Sequence, residues 1–96
     1  MTDGPLPPAG PAGPLLEYPI DYPFKVIGVA AADFAEHARA LLAAAGVEAP
    51  PAGVTVRESS AGKYLSVTLV VRLSSEGERQ AVYRALRADR RVVYYL

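Results

Sequence analysis

Ser59-Ser60-Ala61-Gly62-Lys63-Tyr64-Leu65-Ser66-Val67-Thr68-Leu69-Val70-Val71-Arg72-Leu73 is the stretch that decides the architecture. From Tyr64 onward, Leu65, Val67, Leu69, Val71 and Leu73 alternate with Tyr64, Ser66, Thr68, Val70 and Arg72. Successive side chains of a strand point to opposite faces, so this pattern predicts a strand with one fully apolar side. The small residues before it, Ser59, Ser60 and Gly62, read as a tight connection, with Gly62 supplying a backbone dihedral that other residues avoid. Val54 to Glu58 also alternates, so the whole segment predicts a hairpin.

Working outward, Tyr22 to Val29 is aromatic and β-branched and reads as another strand. Pro23 fits such a strand only near its start or where its missing N–H needs no partner. Ala31 to Ala45 places Phe34, Ala38, Leu41, Leu42 and Ala45 on one stripe at helical spacing, with Asp33 at the positive end of the helix dipole. Gly46 and then Pro50-Pro51 end that helix. Ser75-Glu76-Gly77-Glu78 is a capping box that opens a second helix, whose inner residues are Ala81, Val82, Ala85 and Leu86. Arg84, Arg87 and Arg91 form its outer ridge, and Val92 to Leu96 is a fourth strand.

Strand, helix, strand, strand, helix, strand predicts an α+β, ferredoxin-like β-α-β-β-α-β sandwich: a four-stranded antiparallel sheet with both helices on one face. The covered side is expected to use Phe24, Val26, Val54, Val56, Val67, Leu69, Val71, Val92 and Tyr94. The open side is expected to show Lys25, Ile27, Arg57, Tyr64, Ser66, Thr68, Val70, Arg72, Val93 and Tyr95. Those ten residues are the candidate binding face, because a half-apolar surface is seldom left in water without use.

The chain has 96 residues, enough for one small domain, and at 51% hydrophobic content it can fill a modest core. Residues 1–14 hold five prolines and three glycines without periodicity and read as a disordered tail; residues 15–96 read as the single domain. Absence of cysteine excludes disulfides, thiolate metal sites and thiol nucleophiles. No apolar run approaches the roughly 18 residues of a membrane-spanning helix, so a cytoplasmic protein without membrane attachment is expected. Residues 1–56 carry two basic and six acidic side chains, residues 57–96 eight and four. That asymmetry fits a solvated arginine-rich helix face better than an acidic partner.

The segments Leu15-Leu16-Glu17-Tyr18-Pro19, Phe24-Lys25-Val26-Ile27-Gly28 and Ser59-Ser60-x-Gly62-x-Tyr64-x-Ser66-Val67, in this order and spacing, resemble the small bacterial YbeD-like proteins, a domain-of-unknown-function family. The resemblance spans residues 15–96. It implies the ferredoxin-like fold and a topology similar to ACT regulatory domains, which bind small molecules such as amino acids. It also implies a loose metabolic association with lipoate attachment and synthesis.

Each candidate chemistry meets a plainer reading. A P-loop needs a glycine five residues before the Gly of Gly62-Lys63 and a hydroxyl residue after the lysine; Arg57 and Tyr64 occupy those places. His37 is the only histidine, and Asp33 and Glu36 beside it make poor company for a metal, so it reads as a surface residue able to pair with Asp33 at i, i+4. Ser59 and Ser60 lack a base, so no catalytic residue is assigned. Acylphosphatases share the fold but use an arginine after the first strand and an asparagine; Gly28 to Ala32 has no arginine and the chain has no asparagine. RNA-recognition domains stack bases on central-strand aromatics, and only Tyr64 is available here. No metal or cofactor is expected. The reading is a non-catalytic binding or regulatory module whose open face or edge meets a protein partner, a second copy or a small metabolite; weak single-stranded RNA binding is the alternative, disfavoured by the neutral net charge.

Overall fold

The structure is a computed structural model and describes residues 16–96. The tail expected over residues 1–14, and its boundary with the domain, lie outside the described residues. Six main elements follow in the expected order: β1 (Ile20–Val29), α1 (Phe34–Ala44), β2 (Val54–Glu58), β3 (Tyr64–Leu73), α2 (Glu76–Ala88) and β4 (Val92–Tyr95). The strands line up as β2-β3-β1-β4, and every neighbouring pair is antiparallel. This is the ferredoxin-like arrangement.

The alternation in β3 is realised in full. Val67, Leu69, Val71 and Leu73 are buried, as are Phe24 and Val26 of β1 paired beside them. Phe34, Ala38 and Leu42 of α1 and Val82 and Leu86 of α2 join the same core, so both helices lie on one side of the sheet. Each large side chain fully withdrawn from water contributes about 1.5–3 kcal/mol, and ten are less than 2% exposed, which is how so short a chain closes a core. Val47 and Ala49, in the connection after α1, are also buried and extend the core beyond the helical stripe.

Local chemistry explains the element ends. Ser75 Oγ accepts from the Glu78 amide at 3.2 Å, while the Glu78 carboxylate reaches back to the amide of Ser74, one residue before the cap, at 2.7 Å. Gly46 stands at φ 91° just past α1. In the β2–β3 turn, Ser59 Oγ accepts from the amides of Lys63 and Tyr64 at 3.1 and 3.0 Å, and Gly62 adopts φ 69°. A side chain at that φ is strained, so the turn selects glycine.

Pro23 sits in the middle of β1. The Lys25 and Leu96 main chains exchange hydrogen bonds, so the odd-numbered amides of β1 face the β4 side. β4 does not extend alongside Pro23, whose missing donor therefore falls where no strand of the described residues runs.

Two expectations about faces are corrected. The pairing of β1 with β4 runs Val26↔Tyr95 and Ile27↔Tyr94, then jumps to Gly28↔Val92. Val93 is the extra residue of a bulge, and one extra residue inverts the alternation beyond it. Tyr95 consequently lies on the helix side, its ring 5.8 Å from that of Tyr83, and leaves the candidate binding face. Tyr94, expected in the core, is 56% exposed on the open side. Val56 pairs with Val67 and so faces the helix side as expected, but it is 46% exposed because β2 is the edge strand and the helices leave it uncovered.

Candidate functional site

The register places Lys25, Ile27, Arg57, Tyr64, Ser66, Thr68, Val70 and Arg72 together on the open face. Arg57, Ser66, Ile27 and Tyr94 form one row across all four strands, and Thr55, Thr68 and Lys25 form the next. Val93 is exposed at the bulge rather than within a row. At the far end, Arg72 pairs with Asp21 at 3.1 Å.

A groove of about 420 Å³ opens at the other end of this face, lined by Lys25, Ile27, Arg57, Tyr64 and Ser66 with Ser59 at its rim. This volume lies within the range of small-molecule sites. Neither Lys25 nor Arg57 is paired with a carboxylate of any described residue. The Ser66 hydroxyl oxygen is buried and has no hydrogen-bond partner among the described residues, an uncommon condition for a buried polar atom. A larger hollow of about 570 Å³ lies beside the end of α1, but its cation is engaged: Arg39 donates to the Ala49 carbonyl at 3.0 Å and to Glu36 at 3.2 Å.

Elsewhere the polar residues hold elements together. His37 does not pair with Asp33. Its Nε2 lies 2.9 Å from both oxygens of Asp89, at the end of α2, while Asp33 receives two hydrogen bonds from the Arg91 guanidinium, at 2.8 and 3.2 Å. Arg91 lies beyond α2, over the Phe34 ring, and its hydrogen bonds hold the Asp33 carboxyl below the usual range. A second network ties β1 to α2. Arg79 lies over the rings of Tyr22 and Tyr83, donates to the Tyr22 hydroxyl at 3.1 Å and pairs with Glu76 at 2.8 Å. Glu76 also accepts from Tyr18 and Gln80, and the Tyr18 hydrogen bond is the foremost cause holding its carboxyl low.

Neither network brings a nucleophile to a base. Ser59 is committed to its turn and His37 to Asp89 on the helix layer. Among the described residues no group of three or more His, Cys, Asp or Glu side chains is placed to hold a metal ion, and no helix is long and apolar enough to cross a membrane. Alternation in the sequence found the open-face residues. Only the structure shows the orphaned Ser66 hydroxyl and the displaced Tyr94, because neither has a sequence signal of its own.

Known proteins place the chain. The solution structure of protein HP0495 from H. pylori superimposes with a TM-score of 0.69 over 93% of both chains, at 20% identity, which shows a shared fold. UPF0250 protein RSc0326 of Ralstonia nicotianae is 42% identical over 89 residues, 92% of each chain. A UPF0250 protein of Janthinobacterium sp. is 37% identical over 90% of this chain and 94% of its own, and a UPF0250 protein of Hahella chejuensis is 36% identical over 78% and 82%. The family signature described as "Protein of unknown function (DUF493)" matches residues 13–96. That span takes in every strand and helix described above, and the chain accordingly belongs to the DUF493, or UPF0250, family of small YbeD-like bacterial proteins.

Proposed function

We propose that this chain is a non-catalytic, cytoplasmic binding module that acts as ACT-like regulatory domains do, meeting a protein partner or small metabolite with the open face of its sheet. The observation that carries this reading is the uncovered face itself: Val29, Tyr64, Val70, Tyr94 and Leu96 are each 36–60% exposed on one side of a sheet whose other side is packed. Burying such a patch against a partner is favourable at about 25 cal/mol per Å² of apolar surface. Face-to-face pairing with a second copy is a poorer fit around the groove, because a two-fold contact there would set Lys25 and Arg57 against their own duplicates.

The test is a paired capture from bacterial lysate with proteins and small molecules both identified. Val70→Lys with Tyr94→Lys is expected to lose what the parent chain retains, while Arg84→Glu with Arg87→Glu on the helix face keeps it. Equal retention by both variants refutes the reading.

A second reading, weak binding of single-stranded RNA, gains one observation from the bulge. Tyr94 joins Tyr64 as an exposed aromatic on the face that carries Lys25 and Arg57, and bases stack on such rings. It predicts an anisotropy change with an oligonucleotide at low salt that Tyr64→Ala with Tyr94→Ala abolishes.

A further inference from the structure

We propose that the groove at Lys25, Arg57 and Ser66 is a site for a small amphipathic carboxylate; the inference rests on the open-face reading and names the ligand class for that face.

Three features converge on one spot. Ser66 is the centre of its row, flanked by Arg57 on β2 and Ile27 on β1. Its buried hydroxyl has an unused donor and acceptor. Lys25 stands one row away on β1, so the two cations bracket Ser66 diagonally across β3. Two strand spacings and two residues along the strand put their α-carbons roughly 12 Å apart. Each extended side chain covers about half of that, so an ammonium and a guanidinium can close on one anionic group above Ser66.

The geometry of the donors and the lining selects the anion. Lys25 and Arg57 both face the groove, while Glu58, at its edge, alternates to the helix side of the sheet. The planar guanidinium and the apolar wall beside it match a flat carboxylate joined to a hydrophobic body. A guanidinium takes a carboxylate through two parallel N–H···O bonds and the ammonium adds a third donor; the Ser66 hydroxyl, withdrawn from solvent beneath them, supplies a fourth on turning to an outward rotamer. The remaining wall, Ile27 and Tyr64, is apolar or aromatic and suits a flat or aliphatic body rather than a bare ion. Arg72, paired with Asp21 in an exposed bridge, stands at the opposite end of the face. Among the described residues the open face thus has an ion pair at one end and, at the other, two cations without a carboxylate partner.

Benzoate, its neutral analogue benzamide and inorganic phosphate are the probes, titrated into the full chain while backbone amide chemical shifts are followed. Saturable benzoate shifts are expected at Ile27, Arg57 and Ser66, with benzamide weaker by about tenfold or more because the charge-assisted bonds are lost. Lys25→Gln with Arg57→Gln is expected to abolish the benzoate response. Ser66→Ala is expected to weaken it severalfold while leaving the rest of the amide spectrum in place. Equal responses to benzoate and benzamide, tighter binding of phosphate through the same residues, or no localised shift overturns the assignment. Failure here with loss of partner or metabolite by the Val70→Lys and Tyr94→Lys variant removes only the ligand class. Retention by that variant removes the open-face reading itself.

Discussion

His37 Nε2 lies 2.9 Å from both carboxylate oxygens of Asp89, joining the first helix to the end of the second across 52 residues of sequence. Asp89 Oδ1 also accepts the Arg91 amide at 2.9 Å, so one carboxylate fixes both α1 and the entry to β4.

This pairing sets an acid limit on stability. Burial alone would raise the Asp89 carboxyl, but the His37 hydrogen bond and the amides of Arg91 and Val92 outweigh it and hold it below the usual range. A carboxyl depressed in the folded state stabilises fully above its unfolded value near 4, and the contribution is lost as pH falls through the lower folded value. Asp89→Asn is expected to cost about 1–2 kcal/mol near neutrality, and the gap to the parent should close as pH falls below about 4. Urea unfolding across a pH series measures both.

The bulge at Val93 predicts an asymmetry between adjacent tyrosines. Tyr95 packs on Tyr83 and the core, so Tyr95→Ala is expected to cost about 2–3 kcal/mol. Tyr94→Ala, on the open face, should stay within about 0.5 kcal/mol of the parent. Denaturant midpoints of the two variants decide it, and the reverse ranking would mean that the strand runs without a bulge.

Gly28 lies directly beneath Phe34. A β-carbon there would stand 2.4 Å from two ring atoms and 2.6 Å from the Arg91 carbonyl oxygen. The Phe34 ring is fully buried with Arg91 over it, so it has little room to yield. Gly28→Ala is expected to destabilise by about 1–3 kcal/mol in thermal or chemical unfolding, although alanine is ordinarily tolerated in a strand.

Two tyrosines should resist ionisation. Burial, then the hydrogen bond to Glu76, pushes the Tyr18 phenol up to about 12. Burial and the Tyr22 hydroxyl, 3.0 Å away, raise Tyr83 as well. A group whose folded value is raised contributes stability that is complete below the unfolded value near 10 and is lost as pH climbs through the folded one. In a near-ultraviolet titration, the phenolate signals of Tyr18 and Tyr83 should develop above the ordinary tyrosine range, Tyr18 near pH 12. Glu76→Gln should move Tyr18 back toward its ordinary value.

The fold was readable because its strongest signals are periodic and local. Five alternations in β3, the apolar stripe of α1 and the Ser75 cap each depend only on near neighbours in the chain. The open-face row from Lys25 to Val70 followed from the same alternation. The errors lie where a long-range event intervenes. A single extra residue at Val93 exchanged Tyr94 and Tyr95, and His37 found its partner 52 residues away rather than four. Val56 is uncovered because a helix stops short of an edge strand, which no property of Val56 itself reveals. The Ser66 hydroxyl is orphaned by the arrangement of its neighbours across two strand pairings.

Pro23 gives the sheet a direction in which it cannot grow. A strand from another molecule approaching the exposed flank of β1 would meet a position with no hydrogen to donate, beside a β4 of four residues interrupted by a bulge. Short edges, bulges and prolines each frustrate strand-by-strand addition. That flank is therefore blunted, and strand addition is left to the opposite edge, β2, whose five residues carry no proline.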